Sequence, residues 1–114
     1  MKGSSQSEKV KKIARLNDEL RRTLCTGQVV MTAGFDALAG GTWIKAIRAI
    51  RKFNSFTPDN DPHGEHDFGS LDVDGVKLFW KIDYYDLALA YHSPDPADPA
   101  VTRRVLTMML AGEY

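Results

Sequence analysis

Asp74-Gly75, set between two runs that alternate apolar and polar residues, limits the fold of this chain more than any other feature. A two-residue loop of this kind takes positive φ at both positions, and its twist matches that of two antiparallel strands. It also fixes register. Val73 is paired with Val76, Leu71 with Leu78 and Gly69 with Trp80. Val73, Leu71, Val76, Leu78, Trp80, Ile82 and Tyr84 then share one face, while Asp72 meets Lys77 and Phe68 meets Lys81 on the other. Continued outward, the same register puts His66 opposite Asp83. A turn near Tyr85-Asp86 would send a third strand, Leu87–His92, back along the hairpin.

Around this hairpin the remaining elements are read from periodicity. Ser5-Gln6-Ser7-Glu8 fits a capping box, and Val10, Ile13, Leu16, Leu20 and Leu24 recur at helical spacing, predicting a helix over about 6–24 after a flexible tail at 1–5. Asn17 lies on or beside that apolar stripe, and Gly27 suits the stop. Gln28–Thr32 is β-branched and short, a strand ended by Ala33-Gly34. Gly40-Gly41 reads as a breaker, with Thr42 capping a helix over about 43–53 that buries Trp43, Ile44, Ile47, Ile50 and Phe53. Asp98 before Pro99 resembles an N-cap and first helical residue, predicting a last helix over about 99–112. The order α-β-α-β-β-β-α implies one α+β domain over 1–114, a two-layer sandwich with helices on one face of a small antiparallel or mixed sheet.

The net charge of zero is a cancellation. Residues 1–52 hold eleven Lys/Arg against four Asp/Glu, and residues 53–114 hold four against eleven. Either the halves pack together or the two signs occupy different faces. Cys25 is the only cysteine, which excludes an internal disulfide and a cysteine-rich zinc site and suggests a small buried apolar side chain. No apolar run approaches the roughly 20 residues of a bilayer span, and Met1–Ser5 lacks a secretory core, so a cytoplasmic location is expected.

The stretch Phe56–Gly69 carries the most chemistry: four acids, two histidines and an asparagine among two prolines and two glycines. Asp59, Asp61 and Gly64 match the start of a calcium loop, but Pro62 and Ser70 at the twelfth position do not. A mixed site from His63 and His66 would need an irregular backbone, so no metal and no cofactor are expected. His66 beside Asp83, with Glu65 and Lys81 near, would make a hydrolase- or nuclease-like acid–base group. Asp59, Asp61, Glu65, Asp67, Asp72 and Asp74 would instead make an acidic contact patch for a basic protein. Lys45, Arg48 and Lys52 align on one helix face with Arg51 beside them, a stripe suited to phosphates or simply to solvent.

Val29–Gly34, Phe56–Pro62, Gly64–Gly69, Phe79–Tyr85 and Ser93–Pro99 together resemble a small bacterial family of unknown function, chiefly alphaproteobacterial and often carried on plasmids and other mobile elements. The resemblance runs from the first helix to Glu113-Tyr114. The family carries no assigned activity; its mobile-element setting suggests a non-enzymatic protein-binding module, such as an anti-CRISPR or antirestriction inhibitor whose partner would be a host defence nuclease complex. Direct nucleic-acid binding and hydrolysis are the alternatives. No membrane partner is expected, and the state is monomer or homodimer.

Overall fold

The hairpin forms in the register its turn dictates. Asp74 and Gly75 both have positive φ, 51° and 80°. The pairs Val73–Val76, Leu71–Leu78, Gly69–Trp80, Asp72–Lys77 and Phe68–Lys81 are all present. The computed structural model describes residues 2–114, with side chains from Gln6 onward. Its elements are α1 (Lys2–Thr23), β1 (Gln28–Met31), a single turn α2 (Ala33–Asp36), α3 (Gly40–Arg51), β2 (Phe68–Val73), β3 (Val76–Tyr85), β4 (Arg103–Leu110) and a 3-10 turn over Ala111–Glu113. The sheet order is β1-β4-β3-β2, with β1 parallel to β4 and the other pairs antiparallel.

This is an α+β architecture with helices packed against a mixed four-stranded sheet. Leu78, Trp80, Ile82 and Tyr84 of β3 and Leu106 and Met108 of β4 meet Ile13 and Leu20 of α1, Phe35 of α2, and Ala46 and Ile50 of α3. Their joint burial is the main apolar gain, about 1.5–3 kcal/mol for each large side chain removed from water. The other sheet face carries Phe68, Phe79, Lys81, Asp83 and Tyr85, and there Tyr114 leans edge-on against Phe68 and Phe79. No helix among the described residues is long and apolar enough to cross a membrane.

Several expectations are corrected. Helix α1 begins at Lys2, so Ser5 is inside it and not at its cap; the expected tail also included Met1, which lies outside the described residues. The helix stops at Leu24, which takes φ 60°, before Gly27 is reached. Cys25 is exposed just beyond that stop. Gly40 and Gly41 open α3 rather than break the chain, and Thr42 donates to Asp74 Oδ2 at 2.8 Å instead of capping. Within α3, Ala46 and Ile50 are buried, whereas Ile44 is exposed.

The segment Leu87–His92 is turn and loop, held to the sheet by the bridge Tyr85–His92 and by Arg103 Nε on the Leu87 carbonyl at 2.9 Å. The third antiparallel strand is β4, where a helix over 99–112 was expected. Asp98 caps only a local turn, accepting from the Ala100 N–H at 2.9 Å. The run that follows is apolar on both faces because β4 is central. Val105, Leu106, Met108 and Met109 are all buried, so neither alternation nor helical spacing describes it.

Candidate functional site

The acidic stretch is held from within. Asn60 accepts from the Thr57 N–H and donates to the Ser55 carbonyl, closing the first turn. Asp61 accepts from the His66 N–H at 3.2 Å, and its side chain is only 6% exposed. Gly64 and His66 take φ 70° and 56°, which swings the chain off the strand line before β2 starts at Phe68. The His66 ring stacks on Phe56 with centroids 3.9 Å apart and planes 1° from parallel. Its Nδ1 lies 3.0 Å from Asp18 Oδ1 of α1.

Beneath this loop runs a buried polar network that sequence spacing only hinted at. Asn17 is fully buried. Its Nδ2 donates to the Glu65 carbonyl at 2.9 Å and to the Tyr84 hydroxyl at 2.7 Å. Tyr84 in turn donates to Glu65 Oε1 at 2.8 Å. Burial above all pushes the Tyr84 phenol well above its ordinary value, so it stays protonated and a donor. Arg104 donates from Nε to Asn17 Oδ1 at 2.8 Å and from Nη2 to the Pro96 carbonyl. Arg21, equally buried, reaches Asp18 at 2.8 Å and the Ile50 and Arg51 carbonyls, with its guanidinium 5.1 Å from the Trp80 ring. Burial lowers the pKa of both arginines, yet each remains paired. The available signal was the apolar stripe itself: Asn17 and Arg21 both lie on it, one turn apart.

The acid–base group expected from His66, Asp83, Glu65 and Lys81 is not assembled. His66 faces α1 and pairs with Asp18, while Asp83 faces the opposite side of the sheet and binds Lys81 at 3.0 Å. The backbone turn at His66 is the cause: the ladder makes one more bond, Ile82 N–H to the Asp67 carbonyl at 2.9 Å, and is broken by the positive φ of His66. Glu65 is committed to Tyr84. Among the described residues no three His, Cys, Asp or Glu side chains converge as a metal cage would require.

The six acids of the expected patch divide. Asp59, Asp72 and Asp74 are exposed, although Asp74 is paired with Lys45 at 3.2 Å. Asp61 and Glu65 face the loop's interior bonds. Asp67 lies half-buried in an open cleft of about 300 Å³ with Asp83, Tyr85 and His92. Burial, then the neighbouring Glu65 charge, raises the Asp67 pKa above its usual range. Beside this cleft the loop Asp86–Tyr91 holds Leu87, Leu89 and Tyr91 in solvent at 53%, 42% and 78% exposure. Asp86 fixes that loop, accepting from the Ala90 and Tyr91 N–H groups and receiving Leu89 N–H on its carbonyl. Leu89 itself has φ 58°.

A family model described as a protein of unknown function (DUF3768) matches residues 31–113. The match leaves α1 outside, although α1 supplies Asn17, Asp18 and Arg21 to the network. No curated protein and no solved structure matches the chain.

Proposed function

The chain belongs to the DUF3768 family, and on that premise we propose that it is a non-enzymatic protein-binding module. The observation that carries this reading is the Asp86–Tyr91 loop. A leucine at positive φ costs about 1–2 kcal/mol, and here the strain accompanies three bulky side chains held in water. Burying one such leucine in a partner's pocket returns about 1.5–3 kcal/mol, so a fixed loop of this composition suits an interface anchor. The adjacent cleft gives the partner its charge. Asp67 and Asp83 line it, Asp83 already bonded to Lys81, and a lysine or arginine entering there would offset the desolvation of the Asp67 carboxylate.

Within this class, an anti-CRISPR or antirestriction inhibitor is the form the mobile-element resemblance supplies, and a host defence nuclease complex is the partner to try first. The test is affinity capture from host lysate with wild type and with a Leu87→Asp, Tyr91→Asp double variant. A discrete protein held by wild type and lost from the variant, with circular dichroism unchanged, supports the reading. The same protein held equally by both refutes it.

A further inference from the structure

A second charged surface lies where the C-terminal ends of α1 and α3 meet. Arg22, Arg48, Arg51 and Lys52 line an open groove of about 410 Å³, and no carboxylate is among its lining residues. Arg51, one of the lining residues, is anchored by its Nε on the Arg22 carbonyl at 2.8 Å. The nearest acid, Asp18, is already engaged by Arg21 at 2.8 Å and His66 at 3.0 Å. It stands 4.0 Å from Arg22, whose side chain is 61% exposed. Cations near helix C-termini do complement the helix dipole. That accounts for one or two charges, whereas four in one groove remain largely uncompensated.

The helical period places Lys11, Arg15 and Arg22 on one stripe of α1, all exposed, with Glu8 and Glu19 together along one flank of it and the other flank free of exposed acid. Eleven residues of helix extend this charge by about 16 Å from the groove. A free phosphate ion would use only the groove; a stripe of that length suits a polymer with a charge at every step, about 3.4 Å per strand.

We propose that this groove and the α1 stripe bind the phosphodiester backbone of nucleic acid, with Arg22, Arg48, Arg51 and Lys52 as the phosphate contacts. Lys45 drops out of the sequence-derived stripe because Asp74 and Thr42 hold it and its partner together, and Arg22, contributed by a different helix, takes its place. The site is separate from the Asp86–Tyr91 loop, so the two proposals stand or fall independently.

The experiment is fluorescence anisotropy of the full chain with a labelled duplex DNA of about 20 base pairs and with each of its single strands. Neutralising three or four phosphates predicts that raising salt from 50 to 200 mM weakens duplex binding by about 40- to 150-fold. Arg48→Glu with Lys52→Glu should lower affinity at 50 mM salt at least about tenfold and flatten the salt slope. Lys9→Glu with Lys77→Glu, an equal change in net charge elsewhere on the surface, should change it by less than about threefold. Absence of binding to every probe at 50 mM salt overturns the proposal. So does an equal loss from both double variants, or saturable binding of ATP with no binding of any strand.

Discussion

Gly69→Ala should be among the most damaging single-methyl additions in the chain. A Cβ on Gly69 would sit 2.2 Å from Trp80 Nε1, 2.6 Å from Cε2 and 2.9 Å from Cζ2. Trp80 cannot yield easily. It is fully buried, edge-on to Phe53 at 5.5 Å and to Phe56 at 6.1 Å, and covered by the Arg21 guanidinium. Restoring an ordinary contact of about 3.5–4 Å requires a shift of more than about 1 Å in a close-packed interior. Overpacking of that kind costs about 1–3 kcal/mol, and the upper end applies here. The reduced freedom of the unfolded chain returns about 0.4–1 kcal/mol. A net loss of about 2 kcal/mol lowers Tm by about 8 °C for a domain of this size. Urea and thermal melts followed by near-ultraviolet circular dichroism read both quantities. Trp80→Phe replaces the indole by a smaller ring without Nε1 and the fused benzo portion that carries Cζ2, so in that background Gly69→Ala should cost at least about 1 kcal/mol less. A Gly69→Ala protein within about 0.5 kcal/mol of wild type, or an unchanged penalty in the Trp80→Phe background, would refute the packing argument.

Asn17→Ala strips an acceptor from buried Arg104 and a donor from Tyr84 and the Glu65 carbonyl. The expected loss is about 2–4 kcal/mol by urea denaturation, and a loss under about 1 kcal/mol would show the network to be dispensable. Asp67→Asn should act in the opposite direction. The folded-state pKa of Asp67 lies above the ordinary aspartate value, so the folded chain binds more protons and ionisation costs stability as pH rises through and beyond that value. The Asn variant should therefore be more stable than wild type at about pH 7 and equal to it at about pH 3. An equal difference at both pH values would contradict that linkage.

What could be read from the chain depended on how far the deciding contact lay. The β2–β3 register was legible to the residue because a two-residue turn sets it locally. Extending it by two more residues failed at His66, where positive φ is fixed by Asp61, Phe56 and Asp18, the last 48 residues away. Strand β4 was misread for a related reason. Val101, Val105, Met108 and Met109 fit helical spacing, and Asp98-Pro99 supplies a plausible start. Its strand state is imposed by pairing on both sides, with β1 across 77 residues from Gln28 to Val105 and with β3. Of the site, Asn17 carried a signal as a polar residue on an apolar stripe. The Arg22 contribution to the basic groove carried none, because it depends on how α3 docks.

The position of β4 also governs the order in which this molecule can be made. Only the β2–β3 hairpin is a local unit. Strand β1 has no neighbour except β4, and β3 reaches β1 only through it. On a chain emerging from the ribosome N-terminus first, α1 can dock on α3 and the hairpin through Arg21 and Asn17 within the first hundred residues, but β1 has no strand to pair with. The sheet closes only when residues 103–110 arrive to lie between β1 and β3. The β3 edge and the apolar side of β1 stay open for that interval, which makes the exit of the last strand the slow, aggregation-exposed step of biogenesis.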